Sequence, residues 1–113
     1  MATTYTVTLV PSEDPAKVSN DADEDQGGYA FSKIEYVVRR TVASVACQEV
    51  GEMVINDTGN EVDMDHEWSI VPNEGDLGIE FSVGFENGKR RLFYTMTAGA
   101  NATMWFQKGP NFG

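Results

Sequence analysis

The sequence predicts an α+β domain, one helix packed on a mainly antiparallel meander sheet with a central Asn-Gly hairpin; an all-β sandwich is the alternative. Three observations predict it. Residues 78–97 form two alternating runs hinged on Asn87-Gly88. Residues 34–45 place apolar side chains at a helical period. Further short runs at 5–10, 61–70 and 103–107 alternate with the period of a strand.

The hairpin has the clearest physical basis. Asn-Gly supplies two residues that tolerate φ > 0, as a two-residue type I′ turn requires, and that turn matches the twist of paired strands. Closing it between Glu86 and Lys89 sets Phe85 against Arg90, Val83 against Leu92, Phe81 against Tyr94 and Ile79 against Met96. Both strands then agree on an apolar face, which a slip of one residue would destroy.

Taken in order, residues 5–10 alternate Tyr5, Val7 and Leu9 against Thr6, Thr8 and Val10. Strong β-formers throughout make this a strand. The opening residues, Met-Ala-Thr-Thr-Tyr-Thr-Val-Thr-Leu-Val, resemble the first strand of plant-type ferredoxins, a likeness of about ten residues. The cluster of that family needs four cysteines, and Cys47 is the only one here. Residues 11–28 hold two prolines, six carboxylates and, as apolar residues, only Ala16, Val18 and Ala22. So little burial cannot offset the entropy of ordering, and a mobile acidic loop is expected. Ser32 and Glu35 make a capping-box pattern ahead of Ile34, Val37, Val38, Thr41, Val42 and Val45, which fall on one helical stripe. Gly51 follows where a helix would stop, so residues 32–49 read as the helix. Valine-rich as it is, the segment shows no clean alternation between positions 36 and 50. A short strand at 52–55, a turn at 56–59, a strand at 61–70, a break at 72–76, the hairpin, and a last strand at 103–107 complete one domain over residues 1–113. Residues 108–113 read as a tail. The expected core is Val7, Leu9, Ile34, Val38, Val42, Val45, Trp68, Ile70, Phe81, Val83, Leu92, Tyr94 and Met96.

Composition excludes several functions. Eighteen acidic and 8 basic residues give a formal net charge of -10. Nucleic-acid binding by counterion release needs a basic patch, so no nucleic-acid partner is expected. Anionic membrane is disfavoured for the same reason, and no apolar run reaches spanning length. With no leader pattern at the start, a cytoplasmic location is the expectation. Cys47 alone forms neither an intrachain disulfide nor a multi-cysteine metal site. His66, the single histidine, falls on the apolar side of its strand beside Trp68, the setting of a packed residue rather than a general base. No catalytic motif and no cofactor-binding motif stands out. The expectation is a non-enzymatic protein without a cofactor.

What remains is charge on the surface. Glu61, Asp63, Asp65 and Glu67 alternate with Val62, Met64, His66 and Trp68. On a strand this sets four carboxylates in a row, roughly 6.8 Å apart. Arg39, Arg40, Lys89, Arg90 and Arg91 are the concentrated basic residues. The row suits a basic partner protein, as an interaction module, an inhibitor or an imitation of a nucleic-acid backbone. Separated acidic and basic regions equally suit self-association as a structural subunit. Asp21, Asp23 and Asp25 have the first spacings of a calcium loop, though Gln26 and Ser32 replace the glycine and glutamate of an EF-hand. They are the candidate metal ligands.

Overall fold

The computed structural model describes residues 3–19, 22, 24–25, 30–58, 61–72 and 76–109. Among them are nine strands and no α-helix. In chain order the strands are β1 (Tyr5–Leu9), β2 (Ser12–Lys17), β3 (Glu24–Asp25), β4 (Ala30–Val42), β5 (Val45–Asp57), β6 (Val62–Val71), β7 (Ile79–Glu86), β8 (Lys89–Met96) and β9 (Ala102–Lys108). They form two antiparallel sheets packed face to face. The large sheet has the order β1-β9-β4-β5-β6. In the small sheet β8 is central, with β7 on one side and β2 and β3 end to end on the other. No helix of the described residues is long and apolar enough to cross a membrane.

The α+β expectation is therefore overturned, and the all-β alternative describes the molecule. Residues 32–49 are not a helix. They belong to a hairpin of two 13-residue strands, β4 and β5, paired from Ala30↔Asp57 to Val42↔Val45. Two features hide its alternation. On β4 the inward row is Ile34, Tyr36, Val38 and Arg40, so a buried arginine ends an otherwise apolar series. The outward row contains Val37, which supplies the false helical stripe. The loop, Ala43-Ser44, has φ of 50° and 66°, the left-handed pair of a type I′ turn without its usual residues. Gly51 is not a helix stop. It lies in the middle of β5, opposite Tyr36.

The β7–β8 hairpin has the register read from the sequence, with Asn87 at φ 52° and Gly88 at φ 76°. Within the segment expected to be a loop, residues 11–28, the described stretches Ser12–Lys17 and Glu24–Asp25 are strands. β2 and β3 take backbone partners from the edge of β8, and the Val18 amide donates to the Leu92 carbonyl. Val18 and Ala22 are buried and Ala16 packs against the core, so the few apolar residues of this stretch face inward. Pro15 falls within the irregular register between Ser12 and Ala16, where its missing amide hydrogen costs little.

The core lies between the sheets. Leu9, Ile34, Val38, Leu92, Tyr94 and Met96 are buried as expected, joined by Met53, Ile55, Met104 and Phe106. Val45 and Trp68 are exposed instead, at 48% and 56%. Two arginines join the sheets. Arg40 of β4 donates to the carbonyls of Leu77 (2.6 Å), Thr97 (2.7 Å) and Ala100 (2.8 Å) at one end. At the other, Arg90 of β8 meets Asp57 of β5 at 2.7 Å, both almost wholly buried.

Two outcomes follow from this arrangement. Replacing Ala43-Ser44 by Asn-Gly relieves left-handed strain and should stabilise the fold by about 1 kcal/mol. The melting temperature should then rise by a few degrees, and an unchanged or lower value would mean that the turn is not strained. Asp57→Ala takes the carboxylate away from the buried Arg90 cation. In urea denaturation it should cost about 3–5 kcal/mol, and a loss under about 1 kcal/mol would show that the pair is not what joins this end.

Candidate functional site

β6 is an edge strand of the large sheet, and its two faces do different things. On the outer face lie Asp63, Asp65 and Glu67, all exposed, with Glu61 exposed just before the strand. The row expected from the sequence is thus real. Register extends it sideways: Glu67 pairs with Glu52, and Glu52 with Glu35, so a second line of carboxylates crosses three strands. Lys33 sits among them, 3.3 Å from Glu52 and 3.4 Å from Glu35. Its hydrogen bond to Glu52, reinforced by Glu35, pushes the ammonium pKa above its ordinary value.

Beside the acidic line runs an apolar one. Trp105, Val37 and Val50 are cross-strand neighbours on β9, β4 and β5, followed by Ser69 on β6. Together the two lines floor a shallow groove of about 640 Å³. Arg39 borders it, its guanidinium 5.8 Å from the Trp105 ring centre. Of the basic residues grouped with Arg39, Arg40, Arg90 and Arg91 are buried, and Lys89 is exposed.

The inner face of β6 builds a different site. Val62, Met64, His66 and Ile70 turn inward, and the small sheet is too narrow to cover the whole row. Gly51 leaves a gap into which the Tyr36 ring leans; a Cβ there would lie 2.7 Å from the Tyr36 hydroxyl. That hydroxyl consequently reaches across β5, donates to Glu49 and lies 2.6 Å from His66 Nε2. His66 is held further by rings, 4.6 Å from Trp68 and 5.8 Å from Phe81 between centroids. Glu49 is 5% exposed. Burial pushes its carboxyl pKa above the usual range, with Asp76 adding repulsion and the Tyr36 hydrogen bond opposing both. Burial lowers the His66 pKa. It raises that of Tyr36, as does the bond to Glu49. These groups open into a cleft of about 530 Å³ between β6 and β7, walled also by Asp76, Glu80 and Phe81.

Comparison with known proteins informs the fold alone. No family model matches the chain. No curated protein matches it either. Among solved structures, the chain is similar to the tailspike protein of the Acinetobacter phage vB_ApiP_P1, with a TM-score of 0.54 at 12% identity. That match covers 97% of this chain and 22% of the tailspike chain. A second tailspike, of the Acinetobacter baumannii phage AM24, matches at a TM-score of 0.46 and 7% identity, over 100% of this chain and 27% of that one. It is too distant to support an argument. The chain spans about a fifth of the first tailspike's length.

Of the candidate metal ligands, Asp21 and Asp23 lie outside the described residues. Asp25 pairs through its backbone with Lys89. Among the described residues, no three acidic, histidine or cysteine side chains are grouped to hold a metal ion. Sequence reasoning missed Glu35 and Glu52, assigned to a helix and a separate strand, and missed Tyr36 and Glu49 altogether. Their signal is the inward parity of β5, where Cys47, Met53 and Ile55 flank Glu49, legible only once β5 is seen as one long strand.

The Glu49 shift gives a pH prediction. Because its folded pKa is raised, its contribution to stability is fully present below the ordinary value of 4.5 and is lost as pH rises through the higher folded value. Glu49→Gln stays neutral and keeps an acceptor for Tyr36, so it should melt higher than the native protein at pH 7. The difference should vanish below about pH 4.5. His66 works the other way, losing stability as pH falls through its lowered value, and is present in both proteins. A Gln variant less stable at pH 7 would contradict this account.

Proposed function

We propose that the protein is a non-catalytic interaction module that binds a basic partner protein through the outer face of β4, β5 and β6. The observation behind this reading is the pairing of the two cross-strand lines. Glu35, Glu52 and Glu67 lie side by side, extended by Asp63 and Asp65, directly next to Trp105, Val37 and Val50. Carboxylates alone favour fast, salt-sensitive encounter but little affinity. A tryptophan and two valines beside them add the apolar contact that makes a complex last. A segment in which Arg or Lys accompanies an apolar anchor matches both lines. On an edge strand the charges also oppose sheet-to-sheet pairing, so specific recognition and protection against aggregation are served by the same residues.

Selection from a displayed random-peptide library tests the reading. Peptides rich in Arg or Lys with an aromatic or aliphatic anchor should be enriched on the native protein. Their binding should weaken with salt and be lost in the double reversal Asp63→Lys, Asp65→Lys. Trp105→Ala should weaken it about tenfold, or ~1.4 kcal/mol, without changing its dependence on salt. Neutral or acidic winners, or winners held equally well by the reversal variant, would remove this face from consideration. Self-association is the competing outcome: an oligomer dispersed by salt or by the same reversal makes the face a contact between copies.

A further inference from the structure

We propose that the cleft between β6 and β7 is a binding site for a guanidinium group, with Glu49 as its counter-ion and Trp68 as the surface on which it stacks. The inference stands apart from the outer-face reading in that the two sites share no carboxylate, although Trp68 borders both the outer groove and the cleft.

The starting point is a buried carboxyl group with no cation beside it among the described residues. Glu49 is 5% exposed and lines the cleft. One of its oxygens accepts the Tyr36 hydroxyl. Among the described residues no cation pairs with it and no donor reaches the other oxygen. A carboxylate in that position is costly, and a charge-paired, hydrogen-bonded partner is what offsets the cost. Asp76 and Glu80 stand at the mouth of the same cleft and deepen its negative potential. Buried arginines elsewhere in the molecule are already engaged: Arg90 with Asp57, Arg91 with Glu86 and Arg40 with three carbonyls.

Shape and lining narrow the cation. Trp68 is 56% exposed although its position on β6 faces inward, and its ring is backed by His66 at 4.6 Å. Behind that pair, Phe81 packs edge-on against both His66 and Tyr36. A flat aromatic wall beside a recessed carboxylate suits a flat, weakly hydrated cation. Guanidinium stacks on tryptophan and offers two parallel donors to a carboxylate, where an ammonium is a compact and strongly hydrated point charge. A neutral polyol would stack on Trp68 equally well but would leave Glu49 uncompensated. With about 530 Å³ available, an apolar stem can enter along with the head group. The group can arrive on a free small molecule or on the arginine of another protein.

Fluorescence resolves both sources. Trp68 and Trp105 are the two tryptophans, so Trp105→Phe leaves Trp68 as the reporter. Titration with agmatine, and separately with N-acetyl-arginine amide, should change its emission saturably. Stronger response to agmatine assigns the site to a free metabolite, and stronger response to the capped arginine assigns it to a protein side chain. Butylurea, flat but neutral, and methyl glucoside should have no comparable effect. Glu49→Gln should weaken the cation at least tenfold while raising the melting temperature at neutral pH, which separates loss of binding from loss of fold. The outer-face reversal Asp63→Lys, Asp65→Lys should leave saturation with agmatine in place, so failure at one face is not mistaken for failure at the other. The proposal is overturned if neither cation saturates, if butylurea or the glucoside acts as well, or if Glu49→Gln binds undiminished.

Discussion

The Arg40 guanidinium leaves the large sheet and ends among three carbonyls that belong to the other layer and to the segment returning from it. Leu77 lies on the way into β7, and Thr97 and Ala100 on the way out of β8. Those carbonyls belong to irregular backbone, where no neighbouring strand offers a donor, and unsatisfied buried carbonyls are costly. One planar cation answers all three. Arg90 does the converse, reaching from the small sheet to Asp57 of the large one at the opposite end. The sheets are thus fastened by one arginine from each, at opposite ends of a core of Leu, Ile, Val, Met and aromatic side chains. Position of the small sheet over the large one depends on these two fastenings, and with it the placement of β7 against β6 that forms the cleft.

That dependence explains the mixed legibility of the sequence. The β7–β8 hairpin and the alternation of β6 are local properties, set by Asn87-Gly88 and by a period of two, and both are read without knowing the fold. β4 and β5 are not local in this sense. Their turn is made by Ala43 and Ser44, which carry no turn signal, and their inner rows contain polar residues: Arg40 and Asp57, matched by groups far along the chain, and Glu49, matched by Tyr36 only once the two strands are paired. β2 and β3 fail for another reason: their order is borrowed from the edge of β8, so an acidic segment that could not order itself is held by its neighbour. The acidic row was legible as a row because it lies on one strand. Its extension to Glu52 and Glu35 required register, and the cleft required Glu49, His66, Asp76 and Phe81 to be brought together from three strands and a connection.

Strand β6 concentrates the functional interest because it is an edge. Its outer face has no covering layer, which allows carboxylates to stand in a row. Its inner face overhangs a narrower sheet, which allows Trp68 to remain half in water and Glu49 to look into a cleft. A central strand would have offered neither opportunity. The net charge of -10 acts on both faces alike, favouring the approach of cations from a distance.

The pairing of β1 with β9 has a mechanical meaning. Tyr5 lies opposite Phe106, so the two ends of the described chain emerge side by side, from adjacent antiparallel strands of the same sheet. A pull applied through both ends would load their hydrogen bonds one after another, as a zipper is opened, and not all at once in shear. Force delivered this way should strip β1 from β9 at low tension while β4, β5 and β6 still hold their register. The same adjacency gives the two ends a single point of attachment.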